Sequence, residues 1–218
     1  MDFVPVLVVD NFFDNPDSIR EQGLSLDFNV TGKYPGLRTN CPDHIRSIVY
    51  KKVISLLVDS SVNTPKAKVE VAFQLVTEAQ EENWIHMDRG GFFAGVIYLT
   101  PDAPINSGTS IYKFMGDLDT FEKVRELDQV KNNFHKKILT DYNEMKSARE
   151  KMKQYFCKTV DVANVYNRLI LYPANLFHSG NNFFGTTKND ARLTLVIYVH
   201  NVEPSNSLPI RRMKLIEE

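Results

Sequence analysis

Cysteine is scarce in this chain: Cys41 and Cys157 are the only two, far apart and in no CxxC pattern. That excludes a disulfide framework and points to a reduced, cytoplasmic setting. Charge of one sign is also missing, since 26 Lys and Arg against 27 Asp and Glu leave a net charge of -1. The basic residues are scattered rather than gathered on a face, so no nucleic-acid partner is expected. Long hydrophobic runs are lacking too. Leu169 to Tyr172 and Leu193 to Val199 fall far short of the roughly 20 residues that cross a bilayer, so no membrane partner is expected. Met1-Asp2-Phe3-Val4-Pro5 carries an acid and a proline where a secretion signal needs basic and then apolar residues. No tandem repeat, low-complexity tract or interdomain linker stands out. What is there, 218 residues that are 43% hydrophobic and 24% charged, suits one globular domain over 1–218, a length that all-β barrels and sandwiches often devote to a single core.

The apolar pattern divides the chain. Val6 to Val9 reads as a strand, followed by a helix that Asn15 caps and Pro16 opens, with Ile19, Leu24 and Leu26 beyond. Glycines and prolines between Thr31 and Pro42 read as a loop. Ile45, Ile48, Val49, Val53, Ile54, Leu56 and Leu57 recur mostly at helical spacing over Asp43 to Val58, with Asp43 expected to cap that second helix. From Lys68 the period changes to two: Val69, Val71, Phe73 and Leu75 alternate with Glu70, Ala72 and Gln74. Ala94 to Thr100, Thr109 to Phe114, Arg168 to Tyr172 and Arg192 to His200 are further strand-like runs. Met115 to about Asn164 interrupts them. It is charged and poor in glycine, and Phe121, Val124, Leu127, Phe134, Ile138, Tyr142 and Met145 form one apolar stripe, so a helical insertion over 115–164 is expected. Two readings of it stand: packing on the barrel, or a lid over a site.

Trp84-Ile85-His86-Met87-Asp88-Arg89 sets an imidazole and a carboxylate two residues apart, just ahead of a strand. In extended backbone, residues i and i+2 share a face, so His86 and Asp88 can converge on one ion. HxD alone recurs often by chance. The distal His178, in Phe177-His178-Ser179-Gly180 after an apolar strand, supplies the third ligand. Two imidazoles and one carboxylate on one face of an octahedron leave three adjacent positions open, as non-haem Fe(II) enzymes require. Arg192 then opens the apolar strand Leu193 to Val199. A guanidinium buried there is costly without an anion, and a dicarboxylate satisfies it.

These motifs, in this order, resemble the Fe(II)/2-oxoglutarate-dependent dioxygenase superfamily, and most closely its prolyl-hydroxylase-like branch. The matching pieces are His86-Met87-Asp88, Ala94 to Leu99, Gly108-Thr109-Ser110, Arg168 to Pro173 leading to Phe177-His178-Ser179-Gly180, and Arg192-Leu193-Thr194-Leu195. The resemblance implies a mainly β fold with flanking helices: a double-stranded β-helix (jelly roll, cupin-like) with N-terminal helices and the helical insertion. It implies Fe(II) held by His86, Asp88 and His178, 2-oxoglutarate chelating that iron, and O2 as the oxidant. Arg192 is implied to pair the distal carboxylate through two parallel charge-assisted bonds, with Thr194 as a hydroxyl helper and Tyr98 as a further cosubstrate contact. Hydroxylation of a small-molecule, peptide or protein substrate, releasing succinate and CO2, is the implied reaction. Arg192 stands where the prolyl-hydroxylase branch often has lysine, so proline hydroxylation does not follow.

Trp84, Phe92, Phe93, Phe177, Phe183 and Phe184 flank the ligand motifs and fit either a dry surround or ordinary core. Gly90-Gly91 and Gly180-Asn181-Asn182 allow turns or close approach. Arg38, in a Pro/Gly loop, and Arg89, directly after the iron carboxylate, are candidate substrate contacts; an exposed surface role is the alternative for each. His44, His135 and His200 complete no second metal motif. Two other functions compete: a cupin-like metal enzyme without 2-oxoglutarate, which Arg192 argues against, and a catalytically silent β-barrel binding module.

Overall fold

The computed structural model describes residues 6–58, 66–80, 84–88, 90–135 and 141–203. Arg89 lies outside the described residues. The chain runs β1 (Leu7–Val9), α1 (Pro16–Ser25), β2 (Leu37–Asn40), α2 (Asp43–Leu57), β3 (Lys66–Val76), β4 (Phe93–Tyr98), β5 (Thr109–Phe114), α3 (Leu118–His135), α4 (Tyr142–Lys153), β6 (Phe156–Val162), β7 (Leu169–Pro173), β8 (Phe177–Gly180) and β9 (Arg192–Glu203).

The first helix begins as its sequence dictates, with Pro16 in its first turn and the Asn15 side chain accepting from Ser18 N at 3.2 Å. The second does not. Pro42 occupies its cap position without a side-chain bond, and Asp43 instead pairs with Arg46 one turn on, at 2.6 Å. The turn-rich stretch 31–42 is not all loop either. Its residues Leu37 to Asn40 form β2, an edge strand paired from Leu37↔Leu75 to Asn40↔Ala72. An edge strand needs only one row of backbone hydrogen bonds, so it shows little alternation.

Antiparallel pairing builds a six-stranded sheet in the order β1-β7-β4-β9-β3-β2 and a three-stranded sheet in the order β6-β5-β8. Side-chain alternation gives the larger sheet two faces. On the outer face Leu193, Leu195, Ile197 and Val199 join Phe93, Ile97, Leu169 and Leu171 in one core with Ile45, Val49, Val53 and Leu57 of α2. On the inner face Ala94, Tyr98, Ile170 and Tyr172 meet Ile111 and Val162 of the smaller sheet. The two sheets therefore face one another, and the expected jelly roll with N-terminal helices is the architecture observed.

The insertion is helical in part. The α3 and α4 helices pack Val124, Met145 and Met152 against Trp84, Phe114 and Phe156, with Asp141 capping α4 by accepting from Asn143 N and Glu144 N. Phe156 to Val162, expected to be helical, is instead β6, paired with β5 from Thr109↔Val162 to Phe114↔Phe156. Its charge concealed it: β6 is an edge strand, and its solvated side carries the Lys158–Asp161 ion pair at 3.0 Å.

Candidate metal centre

His86 and His178 are brought together by backbone pairing. His86 N donates to His178 O at 3.0 Å and His178 N to His86 O at 2.9 Å, a single antiparallel bridge that holds the 84–88 segment beside β8. Asp88 N donates to Ala174 O at 2.8 Å, which carries the carboxylate to the same side two residues later. Gly90 follows at φ +84, a left-handed turn that lets the chain leave the site and enter β4.

The donor atoms converge. One atom from each of His86, Asp88 and His178 lies within 4.8 Å of the others, the only such cluster of three among the described residues. His86 Nε2 stands 3.7 Å from one Asp88 oxygen and His178 Nε2 stands 3.4 Å from the other. Each imidazole is oriented from behind. His86 Nδ1 bonds Trp84 O at 2.7 Å and His178 Nδ1 bonds Leu176 O at 2.9 Å. A carbonyl only accepts, so Nδ1 carries a proton in both rings and it is Nε2 that faces Asp88. Burial, reinforced by the neighbouring His178, pushes the His86 pKa well below the usual imidazole range, so His86 stays neutral as a metal ligand must. The Tyr172 ring packs on His178 with centroids 4.8 Å apart.

A cavity of about 210 Å³ leads from this cluster along the inner face of the large sheet to Arg192. That guanidinium is only 5% exposed, and its Nε donates to Ser107 O at 3.2 Å. Among the described residues no carboxylate pairs with it. Gly180 lies beside it, where a Cβ would press on the Phe183 ring at 3.1 Å and reach Arg192 Nη2 at 3.9 Å. Thr194 is fully buried, and its Oγ1 has no hydrogen-bond partner among the described residues. Tyr98 is also buried and donates to Thr109 Oγ1 at 2.9 Å, as a satisfied core tyrosine does, and the Arg192 guanidinium lies 5.4 Å from its ring centre.

Arg38 is half-buried. It lines the same cavity, donates to Gln74 Oε1 and Tyr198 Oη at 3.2 Å each, and lies 3.7 Å over the Tyr34 ring. Of the flanking aromatics, Phe183 lines the smaller cavity and Phe177 a larger one, whereas Phe92 and Phe93 turn to the helix side. His44 is exposed on α2, and His200 is held by Gly90 O and Glu70, away from the cluster.

Gln74, Tyr198 and Tyr172 also line the smaller cavity and were not singled out from the sequence. A sequence signal existed for Tyr198 alone, while Gln74 is brought in by strand register. Tyr198 continues the period-two face Arg192, Thr194, Val196, and the register Arg38↔Gln74↔Thr194↔Tyr98 runs straight across four strands.

Solved structures share this fold. The prolyl hydroxylase of Trichoplax adhaerens, in complex with a peptide fragment of a hypoxia inducible factor oxygen degradation domain, is 10% identical over 89% of this chain and 83% of its own, with a TM-score of 0.50. HygX from Streptomyces hygroscopicus, with nickel and 2-oxoglutarate bound, is 10% identical over 89% of this chain and 82% of its own, with a TM-score of 0.54. The non-heme alpha ketoglutarate dependent carbocyclase SnoK of nogalamycin biosynthesis is 12% identical over 90% and 80%, with a TM-score of 0.51. At such identities the likeness is one of fold. No curated protein matches in sequence. Residues 2–198 match the model described as "Family of unknown function (DUF6445)", and the chain belongs to that family.

Proposed function

We propose that the chain is an Fe(II)- and 2-oxoglutarate-dependent dioxygenase that hydroxylates an organic, peptide or protein substrate. The observation that carries this reading is the pairing, in one cavity, of a two-histidine, one-carboxylate cluster with a buried arginine that has no carboxylate partner among the described residues. The donor set fits iron, because two neutral imidazoles and one carboxylate leave adjacent positions open. His86, Asp88 and His178 would hold it. Arg192 would pair the distal carboxylate of 2-oxoglutarate, and the unpartnered Thr194 hydroxyl would donate beside it. When bound, the iron and its cosubstrate supply the oxidation: O2 is consumed, 2-oxoglutarate leaves as succinate and CO2, and a C–H bond gains an oxygen atom.

The chain's own residues do the rest. Trp84 O and Leu176 O keep each imidazole in the tautomer that offers Nε2. The walls contributed by Tyr172, Val196 and Phe183 exclude water, and Arg192 fixes the cosubstrate's orientation from the far end. Tyr98 acts on Arg192 from the side rather than on the cosubstrate. Arg38 stays a candidate contact for substrate or cosubstrate, and Arg89 a candidate for substrate. In this reading 1–218 is one catalytic domain. The motif order from His86 to Leu195 favours the prolyl-hydroxylase-like branch. The Trichoplax adhaerens neighbour holds a peptide, which makes peptides worth testing beside small molecules.

The deciding experiment is an anaerobic titration with Fe(II) and then 2-oxoglutarate, followed by the visible charge-transfer band of the chelate. Wild type should develop the band, and His178→Ala should not. Iron binding without any 2-oxoglutarate binding would return the chain to the cupin-like alternative.

A further inference from the structure

Two cavities share His86 and Lys33 as walls. The smaller belongs to the cosubstrate in the function proposed above. The larger, about 630 Å³, lies between His86, Phe177 and the α3 helix. Sites for small molecules commonly have about 300–1,000 Å³, so it has the room of a substrate chamber.

One side chain in it is out of place. Along α3 the apolar stripe runs Val124, Leu127, Phe134, and Lys131 occupies the position between the last two that helical spacing turns inward. Lys131 is only 9% exposed. Its ammonium offers three donors, yet it makes no hydrogen bond among the described residues. Its nearest carboxylate there is Asp128, whose Oδ1 stands 3.9 Å away while its Oδ2 accepts from Asn132 at 3.2 Å. Burial, with the charge of Lys33 adding to it, pushes the Lys131 pKa down, against the opposing pull of Asp128 and Asp88. Asp88 itself is turned to the two imidazoles at 3.7 and 3.4 Å. At the exposed side of the chamber, Arg125 and Glu122 pair with each other at 2.9 Å. Two lysines therefore face one chamber, and the buried one, Lys131, is held among the described residues by a single long ion pair, to Asp128 on its own helix. A largely buried ammonium with one ion pair at 3.9 Å gains free energy when a second, closer anion reaches it.

We propose that Lys131, with Lys33 at the entrance, binds an anionic group of the primary substrate, a carboxylate or a phosphate, and so holds the rest of that molecule across the chamber toward His86. The word substrate rests on the dioxygenase reading. The anion site does not.

The test uses the full chain loaded with Zn(II), which is diamagnetic, and labelled with 13C-lysine. Sodium acetate, inorganic phosphate and neutral acetamide are titrated in turn at constant ionic strength, with Lys131 assigned by the signal that Lys131→Arg removes. A saturable shift of Lys131 with acetate assigns a carboxylate, and with phosphate a phosphate; either supports the site, provided that acetamide is silent. In Lys131→Met the response of Lys33 should weaken by about tenfold or more, and Lys131→Arg should restore it. A Lys131 signal that moves no more than that of exposed Lys51, or that moves equally with acetamide, overturns the proposal. The iron and 2-oxoglutarate titration separates the two readings. An intact charge-transfer band with a silent Lys131 removes only the anion site, whereas a responsive Lys131 without the band removes only the dioxygenase.

Discussion

Strand β9 serves two unlike surroundings at once. Leu193, Leu195, Ile197 and Val199 point outward into the core shared with α1 and α2, where each contributes by leaving water and by close packing. Arg192, Thr194, Val196 and Tyr198 point inward; Arg192 and Thr194 are polar groups held out of solvent, and Tyr198 is half-buried. On the inner side Thr194 Oγ1 has no hydrogen-bond partner and Arg192 has no carboxylate partner among the described residues. The outer face stabilises the fold. The inner face costs stability, and a ligand that completes its polar groups returns it. One strand of period two can separate these tasks because neighbouring side chains never share a face.

Breaking the outer face should have the largest effect on stability. Ile197→Ala opens a cavity in a fully buried position and should cost about 2–5 kcal/mol in urea unfolding, while 2-oxoglutarate affinity of the folded fraction stays unchanged. A change confined to affinity would show that the two faces are not separate. Arg192→Ala should do the reverse. Loss of two charge-assisted hydrogen bonds worth about 1.5–3 kcal/mol each should weaken 2-oxoglutarate binding by roughly 100-fold or more, with unfolding midpoints equal or higher because a desolvated cation is gone. Arg192→Lys should recover little of it, since an ammonium cannot form the two parallel bonds. Thr194→Val is the finer form of the same test. It removes a hydroxyl with no partner, so stability should hold or rise, and cosubstrate affinity should fall by about 0.5–1.5 kcal/mol. The smallest effect concerns the thiols. Cys41 lies in the outer core, and burial pushes its pKa up to about 12, whereas Cys157 is exposed. An aromatic disulfide reagent near neutral pH should label Cys157 alone in the folded chain, and Ile197→Ala should hasten labelling of Cys41 through more frequent opening.

Long elements with a clean period were legible before the structure. The α1 cap at Asn15, the alternation of β3 and the apolar run of β9 each follow from local sequence. Short edge strands were not. Leu37–Asn40 hid among turn residues and Phe156–Val162 among charges, because an edge strand keeps one row of backbone groups and much of its side-chain surface in water. The short strand around His178 is recognisable only by its partners, β5 on one side and the His86 bridge on the other. Lys131 left a trace, a cation inside an apolar stripe, but its meaning needed the opposite wall of the chamber.

The residue types and their order determined that two imidazoles, one carboxylate and a strand-borne arginine were available, since ligand chemistry belongs to the side chains themselves. Only the tertiary structure decided that they meet. The His86–His178 bridge joins segments distant along the chain, both imidazoles are turned by carbonyls of their own segments, and Arg38, assigned by sequence to a loop, enters the same cavity from an edge strand. Such meetings depend on long-range pairing and burial, which no local pattern encodes.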